Sequence, residues 1–224
     1  MKILAFDTTS QTLSVALLEN TQTLSKNTIH ESGKQSELLI PEIENLLTKN
    51  NIWYNDLDLI AVTHGPGSFT GSRIGLSVAR TLKLATNLPL ILLNSCEVIA
   101  HKHRHRSENI FILLDARADE FFYAEFSPKT HITSEPKLAN LDDLPNIFPK
   151  DRFFLCGSGK NIAAEILQQQ GRDFTMDQET DIVEAELLGS LAYERYKKYE
   201  KKDTIIQDLN PLYLRSPRIS KRKK

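Results

Sequence analysis

Two clusters of residues in this chain have the types and spacing for chemistry on an anion. The first is Asp7 followed by Thr8, Thr9 and Ser10. An acid at the end of an apolar run, followed by hydroxyls on a tight hairpin, can cradle phosphate with N–H and O–H groups while the carboxylate holds a cation or water. The second is Gly65-Pro66-Gly67-Ser68-Phe69-Thr70-Gly71. Its glycines permit close backbone approach, and it feeds a helix N-terminus, where free N–H groups and the dipole favour anions. Both clusters have echoes. Asp115 ends a second apolar run and is followed by Ala116, Arg117, Ala118 and Asp119, and Gly157-Ser158-Gly159 is a second glycine turn. The candidate phosphate contacts are therefore Asp7, Thr8, Thr9, Gly65, Gly67, Ser68, Asp115, Gly157 and Gly159. The first glycine turn is not a P-loop, because no Gly-Lys-Ser/Thr follows. Nor is it the dinucleotide fingerprint: the third glycine is displaced by one position and no acid lies about 20 residues on.

Gly71, Gly75 and Ala79 recur every fourth residue after that turn. A stripe of small residues lets something approach the helix closely, at about 1 kcal/mol per glycine in helix propensity. The approaching element is either the chain's own sheet or a helix of a partner. His101, His103 and His105 alternate with Lys102, Arg104 and Arg106. They read as a metal-binding trio only if ligand carboxylates or thiols join them; none sits among them, so a solvated connector is the expectation. His64 stands alone beside the glycine turn, and no Ser/His/Asp or Cys/His set is legible from spacing. No catalytic residue and no metal site is assigned.

The elements that must position these clusters follow from periodicity. Residues 2–7, 12–18 and 21–29 read as an antiparallel meander, with Leu13, Val15 and Leu17 on one face of the second strand. Residues 35–50 carry a helical stripe of Leu38, Leu39, Ile43, Leu46 and Leu47. Pro41 lies inside it, so the helix either starts just before Pro41 or kinks there. Strands follow at 57–62 and 88–93, around a helix at 70–86; residues 97–101 read as helical. The order then restarts with strands at 110–115 and 121–126, a strand at 153–156, and helices at about 160–170 and 184–200. The order βββ-α-β-α, given twice, is a repeat of architecture rather than of letters. It predicts an α/β protein of two duplicated lobes, each a mixed sheet flanked by helices, over 1–104 and 105–214, with 215–224 as a basic tail.

Composition agrees with a packed globular chain: 40% apolar and 25% charged residues suffice for a sizeable core. No apolar stretch is long enough for a membrane helix. The apolar start is too short for a leader and ends in an acid, so residues 2–7 are expected to be a strand and the chain cytoplasmic. Cys96 and Cys156 read as reduced core residues. Net charge is −1, but the last ten residues hold six basic groups and no acid, leaving 22 basic against 29 acidic residues elsewhere. The tail is either an RNA-facing patch or a solvated terminus.

The chain resembles the TsaB (YeaZ) family of the actin-like (RNase H-like), heat-shock-70 and sugar-kinase superfamily. The resemblance rests on Ile3-Leu4-Ala5-Phe6-Asp7-Thr8-Thr9, Ser36-Glu37-Leu38-Leu39-Ile40-Pro41, residues 65–75, Leu114-Asp115-Ala116-Arg117 and Pro211-Leu212-Tyr213-Leu214-Arg215. It implies a non-catalytic role in forming N6-threonylcarbamoyladenosine (t6A) at position 37 of tRNAs that read codons starting with A. The implied partners are the catalytic paralogue TsaD, a TsaE-like ATPase, and tRNA reached through the complex; whether the lone chain forms a homodimer stays open. In the family the first two helices dock the paralogue. That maps the interface onto Leu38, Leu39, Ile43, Leu46, Gly71, Ile74, Gly75, Val78 and Ala79. The paralogue's His-x-x-x-His metal motif has no counterpart between residues 35 and 95. No cofactor is firmly implied; weak ATP or ADP binding stays open. The alternative is an actin-like nucleotide-binding ATPase or small-molecule kinase.

Overall fold

The computed structural model describes residues 1–178, 182–198 and 210–214. The basic tail expected at 215–224 lies outside the described residues. Strands β1 (Lys2–Asp7), β2 (Leu13–Glu19) and β3 (Gln22–Ile29) form the opening meander. Helix α1 (Gln35–Lys49), strand β4 (Leu59–Thr63), helix α2 (Phe69–Thr86), strand β5 (Leu90–Leu93) and helix α3 (Ser95–His103) complete the first half. The second half runs β6 (Asn109–Asp115), β7 (Glu120–Ser127), β8 (Ile132–Thr133), β9 (Lys137–Asn140), α4 (Leu144–Ile147), β10 (Phe153–Cys156), α5 (Lys160–Gln169), β11 (Phe174–Met176) and α6 (Ala185–Lys198).

The first sheet has the order β3-β2-β1-β4-β5 and the second β11-β10-β6-β7-β8, with β9 also on β7. In both, a meander is antiparallel and the later strands are parallel: Ala5 faces Ala61 across β1 and β4, and Leu155 faces Phe111 across β10 and β6. This is a two-lobed α/β fold of the actin-like kind. Helix α1 runs through Pro41 without ending there. Helix α3 is longer than its sequence pattern suggested, because Asn94 and Glu97 form a capping box that starts it at Ser95.

Alternation along the strands assigns the packing. Leu4, Phe6, Leu13, Val15 and Leu17 face α1 and α2. Ile3, Ala5, Ala16 and Leu18 face the other way, into a core shared with Ile110, Ile112, Phe122 and Phe154 of the second sheet. Helices α3 and α6 are part of that shared core, through Val98, Ile99, Leu188 and Ala192. The outer face of the second sheet packs separately on α4 and α5 through Phe111, Leu113, Leu144 and Leu167.

Candidate functional site

Each lobe brings an acid-ended strand and a glycine turn to the same end of its sheet. The chemistry at the two positions differs. Asp7 is completely buried. Its Oδ1 accepts from the Thr9 amide (3.1 Å), from Thr9 Oγ1 (2.6 Å) and from Thr63 Oγ1; its Oδ2 accepts from Ser10 Oγ (2.7 Å) and the Ser10 amide (3.4 Å). Five donors saturate one carboxylate, as a buried charge requires. The hydroxyls of Thr9 and Ser10 thus turn inward to their own acid. Thr9 Oγ1 also pairs with Ser95 Oγ at 2.9 Å, and Thr8 Oγ1 donates to the Gly71 carbonyl at 2.7 Å. The expectation that Asp7, Thr8 and Thr9 face an anion is corrected: they are spent on joining β1 to β4, α2 and α3.

The glycine turns are likewise consumed by packing. A Cβ on Gly67 would lie 2.4 Å from the Thr9 carbonyl oxygen, and one on Gly71 1.8 Å from that of Thr8. The Ser68 amide donates to the Thr9 carbonyl at 2.7 Å, and the Ser68 hydroxyl caps α2 at the Gly71 amide. Gly65, at φ +107°, is roofed by the Leu212 carbonyl. The Gly157 turn, at φ +101°, presses on β6 in the same way: a Cβ there would lie 2.2 Å from the Leu113 oxygen, to which the Gly159 amide donates. Asp115, unlike Asp7, is exposed; it accepts from the Arg117 amide at 2.6 Å, and its own amide donates to Ser158 Oγ. Arg117, Ala118 and Asp119 all take positive φ, between 54° and 66°, an arrangement that costs non-glycine residues energy. A hollow of about 420 Å³ lies beside this hairpin, lined by Ala118, Asp119, Glu120 and residues 140–143, and its lining includes neither Asp115 nor Gly157.

The stripe on α2 faces inward. Gly75 abuts Thr8 Oγ1 and Val62, and Ala79 is completely buried. Leu39, Ile43 and Leu46 of α1 are in the same core. Of the nine residues expected at a partner surface, six (Leu39, Ile43, Leu46, Gly71, Gly75 and Ala79) are corrected to internal packing. Leu38, Ile74 and Val78 remain at the surface, half-buried along the outward side of α1 and α2. Around them stand exposed Ile40, Pro41, Arg73, Ser77 and Leu84, whose place on this side of the helices does not follow from the apolar stripe alone.

The histidines are corrected too. His101 and His103 belong to α3 and are buried; only His105 is exposed. His103 packs on the Phe154 ring at 4.7 Å. Burial, then the neighbouring Arg104 guanidinium, push His101 down to about 4, with Glu194 opposing. Burial also lowers His64, against a hydrogen bond to the Asn210 backbone. Among the described residues no three His, Cys, Asp or Glu gather as metal ligands, and no helix is long and apolar enough to cross a membrane.

Known proteins are similar to this chain in sequence and in fold. A family profile described as TsaD, tRNA N6-adenosine threonylcarbamoyltransferase, matches residues 23–187. The tRNA threonylcarbamoyladenosine biosynthesis protein TsaB of Haemophilus influenzae is 25% identical over 232 residues, covering 96% of this chain and 94% of that protein. The Bacillus subtilis TsaB is 31% identical over 135 residues, covering 60% and 59%. The solved YeaZ from Pseudomonas aeruginosa superposes with a TM-score of 0.77 at 23% identity, over 95% of this chain and 99% of that one. An activator of 2-hydroxyisocaproyl-CoA dehydratase from Clostridium difficile, solved with ADPNP, reaches 0.52 at 9% identity over 89% and 97%, a likeness of fold alone. By these matches, the chain belongs to the TsaB (YeaZ) family within the TsaD group of actin-like folds.

Proposed function

We propose that this chain takes part in making t6A at position 37 of tRNAs reading codons that start with A, as a non-catalytic subunit that activates a TsaD-like paralogue. The observation that carries the non-catalytic part is the saturation of Asp7. A carboxylate that already accepts from five internal donors has no lone pair left for a metal-bound nucleotide, and both glycine turns press on backbone of their own lobe, at Thr8 and Thr9 and at Leu113. The fold is kept while the cradle is closed. The docking face is the outward side of α1 and α2, where Leu38, Ile40, Ile74 and Val78 leave apolar surface that the described residues do not fully cover. A TsaE-like ATPase and tRNA join through the assembled complex, and the same face serves a homodimer when the paralogue is absent.

The test uses purified chain, unmodified tRNA and threonylcarbamoyl-adenylate. No transfer is expected from the chain alone, and transfer is expected once the paralogue and the ATPase are added. Modification by the lone chain would sink the reading. Calorimetry with ATP and Mg²⁺ addresses the ATPase or small-molecule kinase alternative: tight binding with turnover by the lone chain would favour it.

A further inference from the structure

The five residues 210–214 return from the far end of the sequence to the start of α2. The Leu212 amide donates to the His64 carbonyl at 2.8 Å. Tyr213 stacks obliquely on Phe69, with ring centres 5.0 Å apart. Arg73 stands beside the pair. Its guanidinium lies 3.9 Å over the Phe69 ring and 5.7 Å from the Tyr213 ring, and its Nε donates to the Tyr213 hydroxyl at 2.8 Å. Arg73 is exposed on the same outward stripe of α2 as Ser77 and Leu84, beside Ile74 and Val78.

An exposed arginine ordinarily samples many rotamers. This one is held by two aromatic rings and a hydroxyl, one ring and the hydroxyl coming from 140 residues away. Stacking and the Nε bond leave both Nη groups pointing free, since Arg73 has no carboxylate partner among the described residues. A rigid, unpaired fork suits bidentate capture of a carboxylate, and fixing it beforehand removes an ordering cost at binding.

We propose that Arg73 is the charged anchor of the docking face, receiving an aspartate or glutamate side chain of the partner protein, and that residues 210–214 are the strap that positions it. This rests on the reading of the α1–α2 face given above. Charge complementarity selects the occupant: the apolar residues beside Arg73 favour a protein surface, and a guanidinium at its edge with no carboxylate partner among the described residues suits an anion there.

Isothermal calorimetry of the full chain with its TsaD-like paralogue tests it. Arg73→Ala is expected to weaken binding about tenfold or more, as anchor arginines do. Arg73→Lys should recover only part of the loss, because it keeps charge but not the fork. Tyr213→Phe keeps the ring and removes the hydroxyl, so a several-fold loss there marks positioning. Unfolding midpoints of all three should match the parent, and should Arg73→Ala fail to fold, Tyr213→Phe carries the test. Parent-like binding by Arg73→Ala and Tyr213→Phe, with Val78→Asp abolishing it, overturns the anchor and leaves the docking face standing. Parent-like binding by all of them overturns both. Unchanged heterodimer affinity with a loss confined to tRNA binding by the complex overturns the anchor in favour of an RNA phosphate contact.

Discussion

Gly71 and Asp7 show how single positions in this chain serve the fold. An alanine at Gly71 would gain about 1 kcal/mol in helix propensity, yet its methyl would sit 1.8 Å from the Thr8 oxygen. A backbone atom cannot step aside as a side chain can, so the clash wins. Gly71→Ala is expected to lower stability by roughly 3 kcal/mol or more, whereas Ser77→Ala on the outward stripe of the same helix should stay within about 0.5 kcal/mol. Urea unfolding of the two variants compares them; equal midpoints would contradict the packing. His101 makes a pH-dependent claim. Its ordinary value is near 6.5, and burial with Arg104 holds the folded form at about 4. Above pH 6.5 neither state binds the proton and stability is intact. Between 6.5 and 4 the unfolded chain takes the proton first, so stability falls; below 4 this group adds no further loss. The ceiling is about 3 kcal/mol, lowered by the solvent the ring still meets. Unfolding midpoints across that window should fall less steeply in His101→Gln than in the parent, and identical slopes would remove His101 from the acid response. His64, shifted in the same direction, remains in both proteins and cancels in the comparison.

At the scale of elements, the two faces of α1 and α2 divide the labour. The inward faces of both helices close on the first sheet, so a partner can meet only the outward side. Val78→Asp is expected to abolish binding to the paralogue while changing the unfolding midpoint little, because Val78 keeps contact with water. Loss of stability matching that of Gly71→Ala would instead place Val78 in the core. Much of this arrangement was legible in the letters. A strand ending in Asp7 echoed at Asp115, and two glycine turns each feeding a helix, were enough to expect duplicated lobes. The direction of the glycine stripe was not legible. Gly71, Gly75 and Ala79 announce a close neighbour, but periodicity alone does not say whether that neighbour is Thr8 of the same chain or a helix of another. The same limit hid the fate of Asp7: an acid followed by three hydroxyls satisfies itself and satisfies a phosphate with the same residues. The short strands β8, β9 and β11 also escaped, because two to four residues show too little alternation to stand out. Helix α3 escaped in part, since its buried histidines read as polar.

The whole molecule is tied together by its last described helix. By position in the repeat, α6 follows the second sheet as α3 follows the first, yet it packs on β1 and β2. Gly189 of α6 sits so close to Leu18 that a Cβ would lie 2.4 Å from that side chain, and the Ala185 amide donates to Ser14 Oγ at 3.0 Å. Three ion pairs then join α6 and its lead-in to α3 and the residue beyond it: Glu97 with Arg195, Lys102 with Glu184, and Arg104 with Glu194. Only Arg104–Glu194 is largely exposed, the other two being about one-quarter accessible; pairs that water still reaches contribute on the order of 1 kcal/mol each, so the larger tie is the apolar core that both sheets share with the two helices. A boundary near residue 104 is what the sequence repeat leads one to expect, but each side's inner sheet face is covered by material from both. Neither half can lose its fold without exposing the other's core. The expected outcome is a single cooperative unfolding unit: in native-state hydrogen exchange, the slowest amides of β1 and of β6 should open with the same free energy. Phe154→Ala, in the second sheet, should lower both by the same amount, about 3–5 kcal/mol for a buried aromatic. A drop confined to β6, with β1 unchanged, would mean that the first lobe stands without the second and that α6 holds its place on β1 and β2 alone.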